Sequence, residues 1–289
     1  MSLVNAVVQG VLLGGLYALF ATGLSLLFGV MRLVNLAHGD LAVLAAYGVL
    51  GLGTALALPP LIAALVVIPA MAVLGYVAQR VLLQRTVGPS PLPALLVTFG
   101  LAVVIQNALL EWFSADQQRL QLGGFETASL RVAPGLAVGW FPLTVFAGAV
   151  LLLGGLSLYF ARTRIGRATR ATSDDQEAAQ LSGVDNRHIY ALAAAIAFAT
   201  AALAGVLAGI QTNFSPTSGP TLLLFAFEAV IIGGLGNLWG TLLGGIVLGV
   251  AQNVGAWIEP AQQVLAGHLV FLLVLAFRPQ GLLPVGRTR

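Results

Sequence analysis

The first long run of the chain, residues 7–30, decides the fold class because it contains no charged residue. It reads VVQGVLLGGLYALFATGLSLLFGV. A transmembrane helix needs about 20 consecutive and mainly apolar residues to cross the hydrocarbon core of a bilayer. We therefore predict a first membrane span here. We do not expect a cleaved secretory signal, since no basic region precedes the run.

The composition extends this character to the whole chain. Its 289 residues are 58% hydrophobic and 8% charged, and the mean hydropathy is +0.96. A soluble domain is typically about 25% charged, and a surface in water needs polar cover. The expected fold class is an all-α integral membrane protein, a polytopic helix bundle of about eight to ten spans with broken or re-entrant helices. We expect one transmembrane domain over residues 1–289.

The titratable residues exclude several classes of function. The chain has no cysteine, so disulfides, thiolate catalysis and cysteine metal sites are ruled out. Its three histidines lie far apart and show no metal-ligand spacing, so we expect no bound metal. All thirteen basic residues are arginines, and most flank apolar runs. Membrane topology explains that placement, and we expect no nucleic-acid partner.

The arginines also orient the chain. The loop over about residues 162–188 begins with four arginines and is cytoplasmic by the positive-inside rule, as is the basic tail, residues 278–289. The arginine-poor segment over about residues 112–139 is external. Nine crossings and an external N-terminus follow, with a reversal near residues 233–240. If the polar island at residues 31–40 only dips into the membrane, the count falls by one and the N-terminus is internal.

Polar residues inside apolar runs are the first candidates for function. An Asp or Arg at the centre of a membrane helix costs about 2.5–3.5 kcal/mol. The island Asn35-Leu36-Ala37-His38-Gly39-Asp40 is either a broken helix lining a substrate route or an ordinary cytoplasmic turn. Glu228 lies either on such a route or at the membrane interface. The candidate pathway or gate residues are Asn35, His38, Gly39, Glu228, Gly233, Gly234 and Asn237.

A second group of candidates is a glycine series in the last third of the chain. Glycines four residues apart on a membrane helix let two backbones approach closely. We therefore predict helix packing, and not a nucleotide loop, because no Gly-Lys-Ser/Thr follows. The series consists of Gly240, Gly244, Gly245 and Gly249.

The charged loop contains Glu177-Ala178-Ala179-Gln180-Leu181-Ser182-Gly183. Acidic residues suit a helix N-terminus, alanines favour a helix, and glycine is a common helix stop. The pattern predicts a short cytoplasmic helix. It is either a docking element for a soluble partner or a solvated loop helix.

The same run has the form EAA-x-x-x-G and resembles the coupling-loop signature of ABC importer permeases. Four further stretches occur in family order and resemble the branched-chain (hydrophobic) amino-acid ABC importer permease family, in its shorter permease type. They are GGLYAL with GLSLLFGV (14–19 and 23–30), NLAHGD with AAY (35–40 and 45–47), EAVIIGGLGN (228–237) and RPQGL (278–282). The stretches span nearly the whole chain. Residues 184–189, VDNRHI, lack the Ile-x-Leu-Pro that follows the signature in many importers.

The resemblance implies a non-catalytic permease subunit in a bacterial plasma (inner) membrane. It implies a second homologous permease, two cytoplasmic ABC ATPases and an external or periplasmic substrate-binding protein as partners. This chain would bind no cofactor, since ATP and Mg²⁺ would sit on the ATPases. The implied coupling residues are Glu177, Ala178, Ala179 and Gly183.

Three alternatives stay open at this point. A related ABC permease would carry another solute, such as urea, short amides or sugars. An ion-coupled secondary transporter or channel would show paired intramembrane charges or an inverted repeat, and neither is convincing in the sequence. A membrane enzyme would cluster acidic and histidine residues at one depth, but the candidates are scattered.

Overall fold

The computed structural model describes residues 2–88, 90–133 and 136–284. Within them, the chain forms helices joined mostly by short connections, and one external β-hairpin. The helices are α1 (Leu3–Met31), α2 (His38–Leu56), α3 (Pro60–Val81), α4 (Leu92–Phe113), α5 (Trp140–Arg162), α6 (Arg164–Asp174), α7 (Gln176–Leu181), α8 (Asn186–Gln211), α9 (Gly219–Gly233), α10 (Leu238–Ile258) and α11 (Gln263–Phe277). Strands β1 (Ser129–Ala133) and β2 (Leu136–Gly139) pair antiparallel, and 3₁₀ turns occupy Leu83–Thr86 and Pro260–Gln262.

The predicted fold class is confirmed. Within the described ranges, eight helical segments are long and apolar enough to cross a membrane: α1 to α5, α8, α10, and α11 with its preceding 3₁₀ turn. Helix α9 is apolar but has 15 residues, about 22 Å, and falls short of a hydrocarbon core of about 30 Å. It crosses only together with the non-helical segment before it.

Helices α1 and α8 form the centre of the bundle and run antiparallel. At one end, Leu26 and Val30 of α1 share a buried cluster with Ile189 and Tyr190 of α8. The interface is close because a Cβ on Gly23 would meet the Ala197 carbonyl. Small residues of this kind let membrane helices pack without a hydrophobic driving force, and this explains the alanine-rich composition of α8.

The two halves of the chain share one pattern of helix packing, but they have opposite orientations. Helix α10 packs along α1, where Gly14 faces the backbone of Ile246. Helix α3 packs along α8, where Gly75 faces the Ala194 carbonyl. The short helices also correspond, since α9 packs on α1 and α2 packs on α8. The halves α1–α4 and α8–α11 therefore form an inverted pair that the sequence did not reveal.

Two non-helical segments run from opposite ends of the bundle to helix starts that meet each other. Residues 32–37 lead from the end of α1 back to His38, whose Nε2 lies 2.8 Å from the carbonyl oxygen of Phe20. Phe20 lies 11 residues before the end of α1 at Met31, or about 16 Å along the axis. Residues 212–218 likewise lead from the end of α8 back to Gly219, where α9 begins against Asp40. The nine crossings counted from the arginines stay a prediction, since eight helical segments of the described residues are long enough to span a membrane.

Hydrogen bonds tie the chain together at both ends of the bundle. At the end where α1 begins, Gln118 and Phe214 form a two-way backbone bridge, and Gln9 of α1 donates to the Ala137 carbonyl in β2. At the other end, Ser173 of α6 lies against Gly29 near the end of α1. The sequence did not predict the hairpin.

Candidate translocation site and coupling helix

The polar island lies inside the bundle. Asn35 and His38 are fully buried, and Asp40 is 2% exposed. The island is therefore a broken helix, since residues 32–37 are non-helical and α2 begins at His38. Because the island is buried, it is not the ordinary cytoplasmic turn that the sequence left as the alternative. A role of these residues in transport stays a prediction.

The broken segment is held by specific hydrogen bonds. The Asn35 side-chain oxygen accepts from the backbone N–H of Ala37 at 3.0 Å. The Thr98 hydroxyl of α4 accepts from the backbone N–H of Leu36 at 3.1 Å. Non-helical backbone survives at membrane depth only when other groups satisfy it in this way. Within the described residues, Asn35 Nδ2 and His38 Nδ1 have no partner.

The two broken helices meet at glycines. A Cβ on Gly39 would overlap the carbonyl of Gly219, and a Cβ on Gly219 would overlap the Asp40 carboxylate. Asp40 is fixed from the other side by Gln106 of α4, whose Nε2 donates to it at 2.9 Å. The starts of α2 and α9 thus touch near the middle of the bundle, with a carboxylate at their contact.

Glu228 is buried on α9 and belongs to a second polar cluster. Its Oε1 lies 2.5 Å from Nδ1 of His268 on α11. Next to this pair, the Tyr17 hydroxyl donates to Oε1 of Gln252 at 2.5 Å. The Phe225 ring lies between the two pairs, 5.2 Å from Tyr17 and 6.5 Å from His268 between ring centroids. Glu228 is 1% exposed and so does not sit at an open interface.

The remaining pathway candidates lie elsewhere, at the turn between α9 and α10. Gly234 has φ +109°, which an L side chain rarely adopts. The Asn237 side chain caps α10 by accepting from Gly240 N–H, and it donates to the Leu283 carbonyl. The tail following α11 also pairs with this turn, since Leu283 N–H donates to the Gly233 carbonyl. The structure therefore separates this turn from the island around His38.

The glycine series lies at two helix contacts. Gly244 of α10 faces the Ala229 carbonyl of α9. Gly245 and Gly249 face the carbonyls of Gly14 and Gly10 on α1, where an added Cβ would overlap backbone. Neighbouring residues on a helix point about 100° apart. The glycines of α10 can therefore contact α9 on one side and α1 on the other. Gly240 lies against Gly233 at the turn.

The EAA segment forms helix α7. Asp175 caps it by accepting from the N–H groups of Glu177 and Ala178 at 2.9 and 3.0 Å. Gly183 follows the helix with φ +85°, the left-handed conformation of a glycine stop. Ala179 is 4% exposed and faces the protein, whereas Leu181 is 90% exposed. The apolar side chain of Leu181 is therefore open to contact with another chain.

Asn186, the first residue of α8, joins the cytoplasmic helices to the bundle. Its side-chain oxygen accepts from the Thr172 hydroxyl of α6 at 2.9 Å, and its nitrogen donates to the Gln176 carbonyl of α7 at 2.9 Å. The Ser173 hydroxyl donates to the Gly29 carbonyl at 2.5 Å. Helix α7 is thus bonded to α8 through Asn186, and α6 is bonded to α1 through Ser173.

Sequence reasoning missed the partners of the buried carboxylates. His268 lies 40 positions after Glu228, and Gln106 lies 66 positions after Asp40. Each is a polar residue within an apolar run, which is the signal that singled out Glu228. Their pairing depends on the packing of α11 on α9 and of α4 on α2, which spacing alone does not give.

Comparison with known proteins identifies relatives over nearly the full length. The family described as branched-chain amino acid transport system / permease component matches residues 6–277. The high-affinity branched-chain amino acid transport system permease protein BraD of Pseudomonas aeruginosa is 31% identical, over 96% of this chain and 94% of BraD. Its counterpart LivH of Salmonella typhimurium is 30% identical, over 95% of this chain and 93% of LivH.

Among solved structures, a chain titled PsaBC from Streptococcus pneumoniae in complex with Fab is similar. It matches 96% of this chain and 91% of its own length, with a TM-score of 0.47 and 14% identity. The family assignment rests on the sequence relatives.

Proposed function

This chain belongs to the family of permease components of branched-chain amino acid transport systems, and from that membership we propose which solute it carries and which chains drive it. It is a multi-pass membrane permease subunit of an ABC importer. The proposed solutes are branched-chain or other hydrophobic amino acids, delivered by an external binding protein. The proposed location is the bacterial inner membrane.

The exposed tip of α7 is the observation that carries the proposed partnership with ATPases. Leu181 stands 90% exposed on a helix whose other face is anchored by Ala179. A short helix that is packed on the bundle by one face and open on the other can present its open face to a partner chain. We propose that a partner ATPase receives Leu181 and that ATP and Mg²⁺ are bound there, with no catalysis in this chain. A second permease completes the membrane part.

The proposed route passes the contact between α2 and α9. Asn35, His38 and Gly39 lie at one break, and Glu228 lies on the helix that begins at the other. Discontinuous helices at the midplane supply unpaired polar groups where a solute must leave water. Gly233, Gly234 and Asn237 form the cytoplasmic turn after α9 and are proposed as its hinge. Closure of the ATPases would shift α7 and, through Asn186 and Ser173, the two central helices.

An ion-coupled secondary transporter remains the alternative from another class, and two observations favour it. The halves of the chain form an inverted pair, and Glu228 is paired with His268 inside the bundle. Both are features of secondary transporters. The sequence relatives favour the importer. A permease for urea, short amides or sugars is the alternative within the family.

The test is purification of the chain in mild detergent after expression with its neighbouring genes. We expect an ATPase and a second permease to be recovered with it, and scrambling residues 177–183 to remove the ATPase. Vesicles are then prepared with the purified complex and the binding protein. They should take up leucine only when ATP is present on the side of the membrane that carries the ATPases. Recovery of this chain alone, with uptake driven by an ion gradient, would favour the secondary transporter. Uptake of urea in place of leucine would change the solute and leave the importer standing.

A further inference from the structure

The polar cluster around Glu228 reaches the surface of the bundle on α11. Glu228 itself is 1% exposed, but the His268 side chain is 32% exposed. Ionisable side chains within membrane helices almost always face the bundle interior or a water-filled cavity, because contact with hydrocarbon is costly. The face of α11 that carries His268 is therefore expected to meet water and not lipid.

Two buried polar atoms of the cluster lack a partner among the described residues. They are Oε2 of Glu228, an acceptor, and Nε2 of Gln252, a donor. Gln252 is 1% exposed, and its nitrogen lies beside Gly267, the neighbour of His268. Leaving such buried groups unsatisfied is costly, so the arrangement fits a ligand that brings a donor and an acceptor.

An amino acid has this combination of groups. Its ammonium donates to a carboxylate, and its carboxylate accepts from an amide. The rings of Tyr17 and Phe225, 5.2 Å apart, add aromatic faces next to Glu228, and such faces attract cations within about 6 Å. Tyr17 is fixed by its bond to Gln252, and Glu228 is fixed by His268. The cluster is thus held in place from three helices other than α9.

We propose that Glu228 is a binding site on the translocation route and receives the ammonium group of the amino acid. His268 pairs with this carboxylate, and Tyr17 and Gln252 lie next to it. This inference rests on the proposed function for its ligand. It goes further by assigning residues from α1, α10 and α11 to the route and by giving Glu228 a chemical role.

Cysteine accessibility tests the location, because the natural chain has no cysteine. His268→Cys is placed in the full complex and treated in membranes with a water-soluble trimethylammonium methanethiosulfonate. The control is Leu273→Cys on the same helix, which is 55% exposed and lies about 140° around the axis. We expect labelling at 268 and none at 273. Phe225→Cys repeats the test from α9 if the first variant assembles poorly. Labelling of neither 268 nor 225 would overturn the inference, because a lipid-facing or partner-covered surface is dry.

Charge selectivity tests the role of Glu228. At His268→Cys, the cationic reagent should react faster than the anionic sulfonate reagent, relative to their rates with a free thiol. Adding Glu228→Gln should lower that ratio by about tenfold, since a carboxylate attracts a nearby cation strongly in a low dielectric. An unchanged ratio would show that Glu228 does not act on a cation at this position.

Transport completes the test. Glu228→Gln should lower the maximal rate of leucine uptake by about tenfold while the recovered amount of complex stays the same. Wild-type uptake in this variant would refute the binding site and leave the importer intact. Absence of leucine uptake in the unmodified complex, with cation-selective labelling retained, would instead refute the proposed solute and leave the cation site standing.

Discussion

Replacing Gly39 by alanine tests whether the contact between the two broken helices determines the architecture. An added Cβ would overlap the carbonyl of Gly219, which is backbone and has no rotamer to escape into. Overpacking of a tight interior costs about 1–3 kcal/mol. At about 2–4 °C per kcal/mol for a domain of this size, the variant should melt about 2–12 °C lower. The assay heats the detergent-purified chain and measures, at each temperature, the fraction that stays monodisperse.

The matched control is Gly100→Ala on α4. Gly100 is also a helical glycine, but a Cβ there meets nothing within 4 Å. Alanine is the better helix former by about 0.5–1 kcal/mol, so the control should melt at the same temperature or slightly higher. Equal melting of the two variants would refute the close contact of α2 and α9, and with it the midplane position of both breaks. Gly219→Ala should reproduce the loss, because its Cβ would overlap Asp40.

Three further predictions concern coupling and the route. Gly183→Val places a β-branched residue at φ +85° and should uncouple ATP hydrolysis from transport, measured as ATPase turnover per leucine imported; normal coupling would count against docking at α7. Asn186→Leu removes both bonds to α6 and α7 and should lower the melting temperature and the transport rate together, whereas Asn186→Asp keeps the acceptor and should lose less. A triple alanine variant at Asn35, His38 and Glu228 should assemble but transport poorly, and unchanged uptake at normal expression would remove these residues from the route.

The sequence predicted the membrane spans because the length and charge of an apolar run are local properties. It also marked the polar island at residues 35–40, but it left open whether the island is a broken helix or a cytoplasmic turn. Asp175 and Gly183 likewise act on their own helix, so the ends of α7 were predictable. These features need no knowledge of which helices are neighbours.

The pairing of helices was not predictable from the same signals. Helix α1 is apolar on all sides, and such a helix has no polar face to mark its exposed side. The bond between Glu228 and His268 depends on α11 packing on α9, and the inverted halves depend on α1 and α8 running antiparallel. The external hairpin, β1 with β2, is short, and its strands are fixed by neighbours such as Gln9. Each of these features is set by contacts between distant parts of the chain.

Helix α1 connects the proposed docking helix to every part of the proposed route. Near its cytoplasmic end, Gly29 accepts from Ser173 of α6 and lies beside Gly236 of the α9–α10 turn. Further along, the Phe20 carbonyl holds His38, and Tyr17 reaches Gln252 in the Glu228 cluster. Its 29 residues contain no proline, so it lacks the commonest cause of a sharp kink. We therefore expect a displacement delivered at α6 to be carried along α1 and to reach the island, the turn and the cluster together.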